Sequence, residues 1–456
     1  MAPTVGQQSV LARLKSGGAW ALLGKLSATL LAFLISALLA RMLPAGDVGA
    51  YFFIANLIVF LVAVAQFGLP LTTVRLIAGT ARSHEPQALA GLLRSILGMA
   101  LLACALTVVL FFVATHFLAG RVAGFDAVLA HRGTIAVWMT AMAIGGLLAE
   151  SFRGLHDIRL ATIFGAVLSA LLFYLFLLVA WFGAWGLDLD DVLSLGLLAA
   201  LASLSGAAIA AVLRFGLLQG GRAAGREPLA QVAVAALPVW GVNVLSFALS
   251  QLDVIFLGMF RQGEEVAVYG AVTRLVALVT MTLVAVNQVI APVIAELHAQ
   301  GRRPELESLL RRSATLAGVP SIILLAVFVL GGDKLLGLVY GDAYAGGVLL
   351  LVVLSLGQMV NVWTGSCGMT LLMTGHQKAM LSIMLVCGCS TLLAAAMLAP
   401  VSGAAGVAVA IAIGTALQNI AMMLAVKSRI GIWTCMDAAF LPRRLVAGLR
   451  AGRGRH

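Results

Sequence analysis

Three ionisable side chains lie deep inside apolar stretches that are long enough to cross a membrane: Lys25, Asp253 and Arg274. A charge at such depth is unfavourable, so it usually marks a transport pathway or pairs with an opposite charge. Asp253 precedes and Arg274 follows the centre of a predicted helical hairpin by about ten residues each, which predicts one depth for both. Two roles remain open: a structural salt bridge, or a cation that faces a cavity and is held by the aspartate.

Uncharged polar side chains extend this candidate site. Lys25 shares one helical face with Thr29, Ala32 and Ser36, and a later helix carries Asn243, Ser246 and Ser250 on the face of Asp253. Gln288 follows Arg274 by fourteen residues, on the same side of its helix. Arg75, near the end of its apolar stretch, is predicted to snorkel to the interface. The predicted substrate cavity is therefore lined by Lys25, Arg274, Asp253, Asn243, Asn56 and Gln288.

The composition of the 456-residue chain is that of an integral membrane protein. Hydrophobic residues make up 62% and charged residues 10%, against about 45–50% and about 25% in soluble domains. The net charge of +11 arises from basic residues in short loops between apolar stretches. This pattern excludes a soluble enzyme, a disordered chain and a nucleic-acid-binding domain, and nucleic acid is not an expected partner.

Twelve apolar stretches have the length of membrane-spanning helices. They are predicted near residues 17–43, 48–78, 89–119, 133–152, 159–183, 191–213, 234–260, 266–296, 314–331, 345–373, 379–400 and 403–426. Of the 29 Lys and Arg residues, 21 fall on the side of the N-terminus, five on the other side and three within spans. This bias predicts that both termini are cytoplasmic.

The two halves of the chain match at a constant offset of 218 residues. Residues 47–51 match residues 265–269, and the offset carries the first two spans onto the seventh and eighth. Six helices per half indicate a parallel repeat with a substrate site between the repeats. The predicted segments are an N-terminus (1–16), an N-lobe (17–215), a linker (216–233), a C-lobe (234–427) and a basic tail (428–456), which is either an interfacial helix or frayed.

Searches for catalytic patterns find none. The chain lacks a phosphate-binding Gly-rich loop with its Lys, and its His residues are scattered. The five Cys residues have no metal-ligand spacing, so they are expected to be packing residues rather than a disulfide or a metal site. No catalytic residue, metal or cofactor is therefore expected, and the protein is not predicted to be an enzyme.

Several stretches resemble one known transporter family. They are Gly24-Lys25, Ala40-Arg41-Met42-Leu43-Pro44, Gly49-Ala50-Tyr51, Val268-Tyr269-Gly270 through Arg274-Leu275 to Asn287-Gln288-Val289 and Pro292-Val293-Ile294-Ala295, the loop Gly301–Ser313, and Leu372–Lys378. Their order and spacing over about residues 10–430 resemble the polysaccharide transporters of the superfamily that also contains multidrug and toxin extruders and lipid II flippases.

The resemblance implies an all-α fold with two six-helix lobes in a V around a central cavity. It also implies alternating access, and as cargo an undecaprenyl-pyrophosphate oligosaccharide of O-antigen, capsule or exopolysaccharide, carried across the bacterial inner membrane. Lys25 and Arg274 would then meet the pyrophosphate. Asp253 is a candidate coupling site for H⁺ or Na⁺, and polysaccharide polymerases and glycosyltransferases are expected partners.

Four alternatives stay open at this stage. A multidrug or metabolite exporter is the nearest alternative, although the first helix has no acidic residue for a cationic cargo. A lipid II flippase often has two further helices, whereas twelve are predicted here. A polysaccharide polymerase or ligase needs catalytic groups in a large outer loop, and the predicted outer loops are short. A scaffold for glycosyltransferases could coexist with transport.

Overall fold

The computed structural model describes residues 5–81, 86–118, 125–216, 229–261 and 263–437, and every regular element in these ranges is helical. The helices are α1 (Val5–Met42), α2 (Ala45–Ala65), α3 (Leu69–Thr80), α4 (Pro86–Leu118), α5 (Phe125–Ala130), α6 (Arg132–Gly154), α7 (Ile158–Thr162), α8 (Leu168–Phe182), α9 (Leu189–Phe215), α10 (Leu229–Phe260), α11 (Glu264–Ala299), α12 (Arg303–Tyr340), α13 (Val348–Thr364), α14 (Cys367–Met373) and α15 (Gln377–Ile430). A π-helical turn at Ile163–Val167 joins α7 to α8, and a 3₁₀ turn at Asp342–Gly347 precedes α13.

Nine helices in the described ranges are long and apolar enough to cross a membrane, and the bent pair α7–α8 raises the number to ten. α10 spans 32 residues, which is also sufficient length. α15 counts once among the nine, and Gly403, which has non-helical dihedral angles, divides its 54 residues into two segments that are each of spanning length. The predicted all-α membrane fold is confirmed, and these elements accommodate its twelve spans.

Helix boundaries recur at the predicted repeat distance. α1 ends at Met42 and α10 at Phe260, which are 218 residues apart, and α2 and α11 begin within one residue of the same spacing. Capping residues also delimit α9. α9 begins with a capping box between Asp188 and Asp191, and a left-handed Gly216 follows its last residue.

Besides the bent pair α7–α8, two predicted spans are broken helices, which corrects the predicted boundaries. The span at 48–78 consists of α2 and α3, separated at Gln66–Gly68, where Phe67 and Gly68 have left-handed φ values of 47° and 68°. The span at 345–373 consists of α13 and α14, with Gly365 at φ 72° between them. Pro70 does not kink a continuous helix, because it occupies the first turn of α3, where proline is well tolerated.

One predicted loop is also helical. The segment from Gly301 to Ser313 was expected to be a cytoplasmic loop, whereas α12 begins at Arg303 and runs to Tyr340. Pro304 lies in the first turn of α12, where proline does not prevent helix formation. Hydropathy missed this extension because the first turns of α12 are polar.

The described chain divides into two compact units, between Gly270 and Ala271 within α11. In the first unit, α2 packs on α10 and α6, and α6 packs on α3 and α9. Its buried cluster includes Leu69, Ile77 and Phe152. In the second unit, α13 packs on α12 and α15, and α14 packs on α15. The lobe boundaries predicted from the sequence stay a prediction.

Candidate functional site

A hydrogen bond between α10 and α11 holds the intramembrane carboxylate of Asp253. The Tyr269 hydroxyl donates to Asp253 Oδ2 at 2.9 Å, and the backbone N–H of Val254 donates to Oδ1 at 2.8 Å. Tyr269 is fully buried and Asp253 is half-buried. Both residues belong to the first unit. A phenol donor stabilises the ionised carboxylate, so this pair can hold a negative charge inside a span.

Sequence analysis did not select Tyr269 as a site residue. The signal was present, because Tyr269 is the repeat mate of Tyr51 and follows Asp253 by sixteen residues across the α10–α11 hairpin. Two helices that turn back on each other bring such positions to a similar depth. The hairpin geometry that predicts one depth for Asp253 and Arg274 therefore also predicts a similar depth for Tyr269.

Small residues allow α2 to approach the α10–α11 hairpin closely. A Cβ atom at Gly258 would meet the ring of Phe53, and one at Gly49 would meet the carbonyl oxygen of Gly263. Asn56, one of the predicted cavity residues, lies on α2 and is buried, and its Nδ2 donates to the carbonyl of Phe52 at 2.7 Å. This close packing fixes the backbone of α2 beside the helix that carries Asp253.

The break between α2 and α3 exposes backbone groups that α10 satisfies. Trp240 Nε1 donates to the carbonyl oxygen of Val64 at 3.0 Å, and its ring centroid lies 5.5 Å from that of Phe67. Gly68 has no Cβ, and a Cβ there would collide with the backbone of Ala236. Irregular backbone at membrane depth is stable only where protein groups satisfy it in this way.

Lys25 lies on α1 with an exposed side chain. The neighbouring Gly24 is buried, and a Cβ atom there would collide with the Thr162 side chain, so α1 contacts α7 on that face. The guanidinium carbon of Arg159 lies 5.7 Å from the centroid of the Trp20 ring and adds a cation–π contact between the same helices. These contacts orient α1 and leave Lys25 on an accessible face.

On α10, Asn243 is half-buried, whereas the side chains of Ser246 and Ser250 lie outside the described residues.

At the ends of α2 and α10, a cavity of about 390 Å³ has small residues and two charged groups in its wall. Its lining consists of Gly46, Gly49, Ala50, Phe53, Asp126, Ala127, Gly258, Arg261, Gly263 and Val266.

The second unit holds the two remaining predicted residues, both on α11. Arg274 is half-buried and Gln288 is exposed. The adjacent Asn287 has a buried Oδ1 that accepts no hydrogen bond from any described residue. On α13 of the same unit, Asn361 Nδ2 donates to Gln358 Oε1 at 3.1 Å. The second unit therefore contributes the cation Arg274 on α11 and amide side chains on α11 and α13.

The structure thus brings Asp253 and Asn56 onto helices that pack together, with Lys25 and Asn243 in the same unit. Arg274 and Gln288 belong to the other unit, so the Asp253–Arg274 pair and the lining of one common cavity stay predictions. No group of three or more His, Cys, Asp or Glu residues in the described ranges could hold a metal ion.

Two family profiles match the chain. The profile of the family described as "Polysaccharide biosynthesis protein" matches residues 14–298, and a MatE profile matches residues 238–398. Lys25, Asn56, Asn243, Asp253, Arg274 and Gln288 all fall within the first match. No curated protein sequence matches the chain.

Solved structures share the fold at low sequence identity. An inward-facing multidrug resistance MATE transporter of the MOP superfamily has a TM-score of 0.72 at 14% identity, over 88% of this chain and 94% of that chain. The lipid II flippase MurJ in an inward closed conformation has a TM-score of 0.68 at 13% identity, over 89% and 87%. A MOP superfamily transporter from Pyrococcus furiosus, described as having a binding pocket of reverse polarity, has a TM-score of 0.61 at 13% identity, over 92% and 95%. These likenesses confirm a MATE-like transporter fold.

Proposed function

Since the chain belongs to the polysaccharide biosynthesis protein family of this transporter superfamily, we propose that it is a lipid-linked oligosaccharide flippase. Its cargo is an undecaprenyl-pyrophosphate-linked repeat unit of a surface polysaccharide such as O-antigen, capsule or exopolysaccharide. The protein moves this glycolipid across the bacterial inner membrane by alternating access. It acts as a transporter and not as an enzyme.

The observation that carries the proposal is the presence of two cations within membrane-spanning helices. Lys25 lies on α1 and Arg274 on α11, both inside the family match. A pyrophosphate carries negative charges that require compensation wherever water is excluded, and charge-assisted hydrogen bonds from Lys and Arg provide it. In this proposal the two side chains bind the pyrophosphate, and Asn56, Asn243 and Gln288 line the path of the polar head group.

The polarity of α1 favours a lipid-linked anion over a cationic drug. No Asp or Glu occurs between Val5 and Met42, whereas Lys25 lies near the middle of this helix. A cavity that selects cations would be expected to present carboxylates to its cargo. Asp253 is the available intramembrane carboxylate on α10, and its hydrogen bond from Tyr269 suits a site that binds and releases a proton or a Na⁺ ion during coupling.

The membrane orientation follows from the charges of the loops. We place both termini in the cytoplasm, because 21 of the 29 basic residues fall on their side of the predicted spans. The glycolipid is assembled where glycosyltransferases act and is consumed where a polymerase acts, so these two enzyme classes are the expected partners on opposite faces.

Reconstitution tests the proposed function. Purified protein is placed in liposomes that carry a fluorescent undecaprenyl-pyrophosphate oligosaccharide, and an impermeant quencher reports how much probe remains in the outer leaflet. We expect movement between leaflets that depends on the protein and that is faster for the pyrophosphate-linked glycan than for an uncharged glycolipid of the same chain length.

The exporter alternative gives a different result in the same vesicles. An exporter would move a cationic dye but leave the pyrophosphate-linked glycan in its original leaflet under every imposed ion gradient. That outcome would overturn the flippase proposal, and Asp253 would then become the first candidate for the cation site.

A further inference from the structure

The seven residues after α15 form an ordered segment, here called the strap (residues 431–437). Gly431, with φ 86°, ends α15 and reverses the chain. Lys427 fixes this reversal, because its Nζ donates to the carbonyl of Gly431 at 3.0 Å and lies 5.1 Å from the centroid of the Trp433 ring. Ile432 is buried with the core of the second unit. The strap is thus ordered and not helical. Residues 438–456 lie outside the described residues, so the two alternatives for the rest of the basic tail stay predictions.

The strap completes the broken end of α13. A helix leaves its last four carbonyl groups without partners inside the helix. The backbone N–H of Met436 donates to the carbonyl of Trp363 at 2.9 Å, and the Thr434 hydroxyl donates to the carbonyl of Thr364 at 2.6 Å. The other two carbonyls are satisfied locally, at Val362 by the N–H of Gly365 and at Asn361 by the Thr364 hydroxyl.

Two glycines leave the space that the strap occupies. Gly365 lies in the break after α13, and a Cβ there would collide with the carbonyl oxygen of Thr434. Gly318 lies on α12, and a Cβ there would collide with the side chain of Met436. Thr434 is fully buried as a result. The strap is therefore fitted between α12 and the α13–α14 break.

An ion pair fixes the far end of the strap to α12. Arg311 Nη2 lies 3.0 Å from Asp437 Oδ2, and the N–H of Asp437 donates to the Thr315 hydroxyl at 3.2 Å. Both charged side chains are about a quarter exposed, and a cleft of about 400 Å³ lies beside them. Water reaches this end of the strap, so its ion pair is the contact most easily broken.

We propose that the strap is a latch that holds the α13–α14 break of the second unit and that opens reversibly. The break at Gly365 is a hinge, because glycine there tolerates large changes of φ and ψ. At least three hydrogen bonds and one ion pair join the described strap to α13 and α12. Because these contacts belong to one short segment, local opening requires less free energy than unfolding of the unit. The inference goes beyond the proposed function, because neither cargo nor coupling ion enters it.

Cys435 provides a native reporter of the latch. Its side chain is half-buried in the strap, whereas Cys367, beside the break, is fully buried in the core of the same unit. A thiol reacts with a maleimide faster when it is more accessible, so a rise in the labelling rate of the half-buried Cys435 above its wild-type value reports opening of the strap. The rate is followed in purified full-length protein by mass spectrometry of the labelled peptides, with Cys367 as an internal measure of folding.

Two variants open the latch by different routes. Thr434→Val removes the donor to the carbonyl of Thr364, and Asp437→Asn removes the charge that pairs with Arg311. The matched control is Thr280→Val on α11, because the Thr280 hydroxyl, among the described residues, donates to the carbonyl of Ala277 in its own helix. We expect Cys435 to label roughly tenfold faster in Thr434→Val than in wild type, because the loss of about one buried hydrogen bond raises the population of the open strap by about that factor. In Asp437→Asn we expect labelling that is severalfold faster than in wild type.

Equal Cys435 labelling in wild type, Thr434→Val and Thr280→Val, with Cys367 still protected, would overturn the latch. If Thr434→Val also exposes Cys367, that variant has lost its fold and Asp437→Asn decides the question. Faster labelling of Cys435 alone in Asp437→Asn supports the latch, and an unchanged rate refutes it. The labelling needs no transported glycolipid, so its failure is distinct from failure of the proposed function.

Discussion

The hydrogen bond between Tyr269 and Asp253 gives a sharp prediction about the charge held inside the membrane. Tyr269→Phe keeps the buried ring and removes only the hydroxyl that donates to Asp253 Oδ2. Asp253→Ala removes the acceptor and leaves the Tyr269 hydroxyl without that partner. A hydrogen bond to a charged group contributes about 1.5–3 kcal/mol, and one between neutral groups about 0.5–1.5 kcal/mol.

A double-mutant cycle isolates this pair from the other contacts of Asp253. Because the carboxylate is half-buried and partly screened, we expect a coupling free energy near the lower end of the charged range, about 2 kcal/mol. The free energy of unfolding is measured by reversible denaturation in mixed micelles with increasing SDS. Tyr174→Phe on α8 is the control, since its hydroxyl makes no hydrogen bond to any residue that the structure describes.

The value of the coupling distinguishes two states of the site. About 2 kcal/mol indicates an ionised carboxylate that is available for coupling to H⁺ or Na⁺. A value below about 1 kcal/mol indicates a protonated Asp253. A coupling of zero, with Tyr269→Phe as stable as Tyr174→Phe, would refute the assignment of a hydrogen bond that stabilises this carboxylate.

Two other predictions concern the packing of the spans. Gly357→Ala should destabilise the second unit by about 1–3 kcal/mol in thermal unfolding, because the new Cβ would lie 2.7 Å from the Cα of Ala412. Gly98→Ala is the control, because no atom lies within 4 Å of its new Cβ. In the same measurement this variant should be as stable as wild type or more stable. Trp240→Phe should lower the free energy of unfolding by about 0.5–1.5 kcal/mol, because it removes the donor to the carbonyl of Val64. An unchanged free energy of unfolding would mean that the α2–α3 break does not depend on α10.

Hydropathy and charge were sufficient to predict the membrane fold. Each span is an apolar stretch that must satisfy its own backbone in lipid, and only a helix does so within one segment. The repeat distance of 218 residues located the ends of α1 and α10 correctly, because the apolar stretches of the two halves end at matching positions. These features depend on local sequence, which is why they could be predicted.

The helix breaks and the strap could not be predicted in this way. The apolar stretch continues through Gln66–Gly68 and through Gly365, so hydropathy contains no signal for either break. Both breaks are stabilised by distant groups, Trp240 in one case and Thr434 in the other. The strap is short, and its role arises from glycines on α12 and beside α13 that only the tertiary structure brings to it.

The candidate site was predicted in part. The half-buried carboxylate of Asp253 was identified because a charge inside a membrane is unfavourable. Tyr269 was not identified, because a tyrosine within a span is usually a packing residue. The roles of Lys25 and Arg274 stay predictions, because each depends on a bound cargo.

The most direct test of the central claim compares three cation variants in the leaflet assay. Lys25→Ala and Arg274→Ala each remove a proposed pyrophosphate ligand, whereas Arg75→Ala removes an exposed cation that is predicted to snorkel to the interface. The account predicts initial flipping rates that fall about tenfold or more in the first two variants, the effect of losing a charge-assisted hydrogen bond, and a rate near that of wild type for Arg75→Ala. Wild-type rates in both Lys25→Ala and Arg274→Ala, with normal amounts of folded protein, would contradict it.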